Sequence, residues 1–122
     1  MPKKQSIPPE TREEVLKIVE EFNRKTFTGE QHPLLKAMFG TTKRGFAARF
    51  KGKFLYLDRT DRRRPSEICR LTWNGKMDNW DFAIYRHSRN FYDPDEWMFP
   101  GAGYVDGTVE GAMKAGMEAY PM

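Results

Sequence analysis

Residues 68–86 read ICRLTWNGKMDNWDFAIYR, and the fold turns on how they are folded back on themselves. Two runs rich in β-branched and aromatic residues flank a polar loop, Asn74 to Asn79, that holds Asn74-Gly75 and Asp78-Asn79. Such runs suit a pleated, half-buried surface, and Asn, Asp and Gly supply the turn. Pairing about that loop sets Trp73 opposite Trp80, Leu71 opposite Phe82 and Cys69 opposite Ile84. Side chains alternate between faces along a strand. One face therefore carries Cys69, Leu71, Trp73, Trp80, Phe82 and Ile84, an apolar set that reads as core. The other carries Arg70, Thr72, Asp81, Ala83, Tyr85 and His87, which is polar. A one-residue slip would exchange the two sets, so the register is strongly specified.

Working upstream, residues 45–59 (GFAARFKGKFLYLDR) read as a second hairpin. With Lys51-Gly52 as a two-residue turn, Phe50 faces Lys53, Arg49 faces Phe54, Ala48 faces Leu55 and Phe46 faces Leu57. The core side is Phe46, Ala48, Phe50, Leu55 and Leu57; the outer side is Ala47, Arg49, Phe54, Tyr56 and Asp58. Lys53 on the apolar side is a misfit that its long stem tolerates beside the turn.

Before the hairpins, Pro8-Pro9 introduces a helix to about Lys25, with Val15, Ile18, Val19 and Phe22 at helical spacing and Leu16 widening the stripe. Residues 1–7 read as a tail, and 33–39 as a short helical turn. After the hairpins, 88–99 is turn-rich and aromatic, 100–103 is a loop, and a last helix is expected from Thr108 to Tyr120 with Asp106 or Thr108 as its N-cap. Its stripe is Val109, Ala112, Met113, Gly116, Met117 and Tyr120, beside a face of very small residues, Gly111, Ala115 and Ala119. The expected fold is α+β, a single domain over 1–122: a four-stranded antiparallel sheet of two hairpins, flanked by an N-terminal and a C-terminal helix.

The chain resembles a small prokaryotic family of unknown function. The residues that carry the likeness are Trp80-Asp81-Phe82-Ala83-Ile84-Tyr85, Tyr92-Asp93-Pro94-Asp95-Glu96-Trp97 and Val105-Asp106-Gly107-Thr108-Val109-Glu110-Gly111-Ala112. The resemblance implies one intact domain with a helix, strands, helix layout. It implies no site residues.

Composition narrows the function classes. The 122 residues are 39% hydrophobic and 31% charged, with no apolar run long enough to span a bilayer and no apolar stretch near the N-terminus that reads as a signal. One cysteine, Cys69, excludes an internal disulfide and a cysteine-based zinc cage, so a cytoplasmic location is expected. The net charge of +4 is unevenly placed. Lys43 to Arg64 holds nine basic and two acidic residues, whereas 65–122 holds five basic and nine acidic.

That distribution points to the outer sheet face as the working surface. Arg49, Phe54, Tyr56, Arg70, Tyr85 and His87 fall on it with Thr72, and Arg62, Arg63 and Arg64 lie at its rim with Lys43, Arg44 and Lys51. Rings among guanidinium groups on an open sheet stack unpaired bases while cations hold phosphates, so single-stranded nucleic acid is the expected partner. The bland alternative is an ordinary polar face partly covered by residues 91–99. The rival function is a protein-interaction or homodimerising module without catalytic activity. In it, a strand edge, the acidic C-terminal part and the small-residue face of the last helix meet the basic middle of a second copy.

Catalysis has the least support. His32 and His87 sit in no metal-ligand spacing, Asp93, Asp95 and Glu96 lack a calcium-loop pattern, and Cys69 falls on the core face away from His87. No catalytic residue, metal or cofactor is assigned. An enzyme would need a pocket that brings His87, Asp93 and Glu96 together.

Overall fold

The computed structural model describes residues 6–26, 45–60 and 64–120, and all that follows concerns those residues. Helix α1 (Pro9–Thr26) precedes strands β1 (Phe46–Lys51), β2 (Phe54–Arg59), β3 (Ser66–Thr72), β4 (Asp81–Arg86) and β5 (Phe91–Asp93). A 3-10 turn (Ala102–Tyr104) and helix α2 (Val109–Ala119) complete the chain. The sheet is antiparallel in the order β1-β2-β3-β4-β5.

The architecture is α+β, but the sheet has five strands where the sequence suggests four. The fifth arises from a turn at His87 to Asn90, closed by Arg89 N–H donating to the Arg86 carbonyl at 3.1 Å. Asn90 takes φ 54°, a left-handed conformation that Asn tolerates better than most residues. The chain then doubles back for three residues, too short for alternation to be visible.

Cys69↔Ile84 and Leu71↔Phe82 pair as the alternation requires. In the first hairpin the turn is Gly52-Lys53, with Lys51↔Phe54, Phe50↔Leu55 and Arg49↔Tyr56, not the turn at Lys51-Gly52. Gly52 at φ 59° explains the choice, since the favoured two-residue turns need positive φ at their first central position. The displacement is two residues along one strand, so every side chain keeps its face. Lys53 moves into the turn and the misfit disappears.

Both helices cover one face. Val15 and Val19 of α1 and Val109, Ala112, Met113 and Ala115 of α2 share a buried cluster with Leu55, Leu57, Cys69, Leu71, Trp80, Phe82 and Ile84. Phe46 meets Phe22 of α1 edge-on at 5.7 Å, and it also lies against Gly116 of α2. Leu16 is 49% exposed, so the α1 stripe is narrower than its sequence suggests and runs through Thr11 instead. Ile7, expected in the tail, is buried, and its N–H donates to the Gly52 carbonyl at 3.0 Å.

The ends of the elements are tied down by side chains. Asn23 of α1 treats the β1 edge as a partner strand: its Oδ1 accepts from Phe46 N–H at 2.8 Å, and its Nδ2 donates to the Phe46 carbonyl at 2.9 Å. Thr108 caps α2 by accepting from Gly111 N–H at 3.0 Å. The small face of α2 is taken by this chain's own loop, with Gly101 against Ala115 and Gly111 against Tyr104 and Asp106. The 33–39 turn expected from sequence lies outside the described residues.

Candidate nucleic-acid interface

Alternation places Arg49 of β1, Phe54, Tyr56 and Asp58 of β2, Arg70 of β3, Ala83 and Tyr85 of β4 and Tyr92 of β5 on the face opposite the described helices. The register sets Arg49 beside Tyr56, Tyr56 beside Arg70, and Tyr85 beside Tyr92. The rings form a connected group. Tyr92 lies 5.3 Å from Tyr56 and 4.9 Å from Tyr85, and Tyr56 lies 6.1 Å from Phe54, centroid to centroid. Ala83, on the same strand as Tyr85, is buried on the face that none of the described helices covers. Its methyl leaves the room over which the larger side chains converge.

The two arginines of this face behave differently. Arg49 stacks on Tyr56, its Cζ 4.6 Å from the ring centroid, and grips Asp58 through Nε to Oδ2 at 2.7 Å and Nη2 to Oδ1 at 3.3 Å. Asp58 is buried and its hydrogen bond raises the Arg49 pKa, so this guanidinium is permanently charged and engaged. Burial, with Asp58 adding to it, raises the Tyr92 phenol above its usual range against the opposing pull of Arg49. Tyr92 is therefore a neutral phenol at ordinary pH.

Arg70 has no such partner. Its Cζ lies 4.6 Å from the Phe54 centroid and 5.5 Å from the Tyr92 centroid. Its Nε is buried without a hydrogen bond, and among the described residues it forms no ion pair. A cation against two rings gains from their quadrupoles without a carboxylate partner.

His87 sits at the end of this face, edge-on to Tyr85 at 4.8 Å and to Tyr120 at 5.2 Å. Its Nε2 lies 3.1 Å from the Glu67 carbonyl. A carbonyl only accepts, so Nε2 carries the proton there. The Tyr120 hydroxyl donates to the Tyr85 carbonyl, which anchors the end of α2 to β4. Arg64 is exposed just before β3, while Arg62 and Arg63 lie outside the described residues.

Of the residues expected from sequence, the structure thus brings together Arg49, Phe54, Tyr56, Arg70, Tyr85 and His87. It adds Tyr92 and Asp58. The sequence signal for Tyr92 was present but faint, a turn at Ser88 to Asn90 followed by Phe91-Tyr92-Asp93.

Elsewhere several titratable groups are engaged structurally. Arg86 pairs with Glu96 and lies 3.8 Å from Asp93, while Asp93 Oδ1 accepts from Asp95 N–H at 2.9 Å. His87 contacts the Glu67 carbonyl, Tyr85 and Tyr120 instead. Among the described residues no group of three or more His, Cys, Asp or Glu could hold a metal ion. Cys69 is buried, and burial followed by Asp58 pushes its thiol pKa up, which makes it inert. A surface groove of about 660 Å³ lies on the helix side, lined in part by Glu14, Ile18, Met77, Tyr104, Asp106 and Lys114. Its rim is largely acidic and it shares no residue with the sheet face. No described helix is long and apolar enough to cross a membrane.

These features define a two-layer α+β domain whose sheet is covered by helices on one side and carries an aromatic and guanidinium cluster on the other. No family model, no curated protein and no solved structure matches the chain.

Proposed function

We propose that the sheet face opposite the described helices binds single-stranded nucleic acid. One observation carries the reading: Arg70 is a half-buried guanidinium between Phe54 and Tyr92 with no carboxylate partner among the described residues. Single strands are held by a positive groove together with rings on which bases stack. Tyr56, Tyr85 and Phe54, all half-buried, offer partly open ring surface beside that charge. The segment from Lys43 to Arg64 holds nine basic residues against two acidic ones, the sign that phosphates require.

The test is fluorescence anisotropy with labelled single-stranded DNA and RNA 20-mers at two salt concentrations. Micromolar binding that weakens steeply with salt is expected. Arg70→Ala and Tyr56→Ala should each weaken it about five- to a hundredfold, the range for one stacking contact. No binding, or wild-type affinity in both variants, refutes the proposal.

Self-association is a second reading, favoured by the β1 edge. Thr60 N–H donates to the Gly45 carbonyl at 2.9 Å, which fixes the odd-numbered residues of β1 as those bonded to β2. Phe46, Ala48 and Phe50 therefore point their backbone groups outward, and Asn23 engages Phe46. Sedimentation velocity decides it: a monomer at every concentration rules out this reading.

A further inference from the structure

We infer that Arg70 is a base-reading residue that selects guanine over adenine on this face. This rests on the nucleic-acid reading above and goes beyond it, since cations that hold phosphates confer no base preference.

Three observations lead there. The first is the contrast between the two arginines. Arg49 is bound bidentately by buried Asp58 and stacks on Tyr56, so its fork is already filled. Arg70 has no acceptor at all among the described residues. The second is orientation. With Nε buried, the donors left to Arg70 are those on its two terminal nitrogens, which lie in the guanidinium plane beside Phe54 and Tyr92. The third is the pair of rings. A ligand that accepts both hydrogen bonds from a planar fork lies in the same plane, so a base there lies alongside the two rings that Arg70 already contacts. A tetrahedral phosphate gains nothing from those rings.

Between the purines, the donor pattern decides. Guanine presents two adjacent acceptors, N7 and O6, which match the fork, whereas adenine replaces O6 with an amino group that points a donor at a donor. Stacking is nearly the same for both, so the difference between them reports the hydrogen bonds alone.

The experiment is anisotropy with labelled dT12 strands that carry two separated guanines, two adenines or two 7-deazaguanines at the same positions. For the intact protein, the guanine strand should bind at least about fivefold tighter than the adenine strand, in line with one bidentate contact. The 7-deazaguanine strand, which lacks the N7 acceptor, should lose most of that preference. Arg70→Lys keeps the charge and removes the fork, so it should bind the guanine and adenine strands alike. Equal affinity of the intact protein for guanine and adenine, with Arg70→Ala weakening both, overturns base reading and leaves a phosphate contact at this site. If no strand binds, the interface and the inference fall together. The comparison of strands on the intact protein does not depend on any variant folding.

Discussion

The pairing of Arg49 with Asp58 is lopsided, and its two halves should respond unequally to mutation. The Arg49 side chain is 55% exposed and the Asp58 side chain 7%. Replacing Asp58 by Asn keeps an oxygen that accepts from Nε, and Arg49 can turn its remaining donors to water. The loss is close to that of one hydrogen bond, about 1 kcal/mol. Replacing Arg49 by Met keeps the stem against Tyr56 but strands a buried carboxylate without its cation. Leaving a buried, charged acceptor without its partner costs about 3 kcal/mol. Chemical unfolding in urea, followed by tryptophan fluorescence, should separate the variants by about 2 kcal/mol. At about 4 °C per kcal/mol for a domain of this size, Arg49→Met should melt some 8 °C below Asp58→Asn. Equal losses, or the reverse order, would show that the carboxylate does not depend on this arginine. Arg49 would then be available as a ligand contact in its own right.

Three further outcomes follow from contacts described above. Asn23→Ala removes two hydrogen bonds and exposes the Phe46 peptide groups at the sheet edge; a loss of about 1–2 kcal/mol in urea unfolding and a rise in aggregation by light scattering are expected. Gly116→Ala places a methyl 2.7 Å from the Ile68 Cγ2 and 3.3 Å from the Phe46 ring. The helix-propensity gain of about 1 kcal/mol is outweighed by overpacking of about 1–3 kcal/mol, so the variant should melt lower, and a higher melting temperature would count against the packing described here. The Thr108 hydroxyl, first among its contacts, lowers the Asp106 pKa. A depressed carboxylate stabilises above its unfolded pKa of about 3.9 and loses that contribution as pH falls through the lower folded value. Asp106→Asn should therefore melt below the wild type at pH 7 and converge on it near pH 2.

What could be read from the sequence was whatever repeats over several residues. Cys69 to Ile84 shows two strands whose alternation agrees across a loop, and that agreement fixed register, core face and outer face together. The first hairpin shows the limit of the same logic. Alternation is blind to a shift of two, and only the positive φ available to Gly52 distinguishes the observed turn from its neighbour. Strand β5 was not legible because Phe91–Asp93 covers barely more than one period. Tyr92 was lost with it, although it is the ring that joins β5 to the β2 and β3 side chains. Asp58 was placed on the right face from sequence, yet its preference for Arg49 over the other nearby arginines depends on a cross-strand approach that chain order does not encode. Arg49, Phe54, Tyr56, Arg70, Tyr85 and His87 came together because face assignment needs only parity.

Strand β5 also determines how this face breathes. It pairs through three residues, beside neighbours that pair through four or more, so it is the element that opens at least cost. Because Tyr92 rides on it, peeling β5 away lifts one ring off Arg70 while Phe54, on a central strand, stays in place. On the opposite face of the sheet, Arg86 holds Glu96 and lies near Asp93, so β5 keeps a side-chain tie to β4. The two rings at Arg70 are thus unequally supported: Phe54 sits on an interior strand paired on both sides, and Tyr92 on the short end strand.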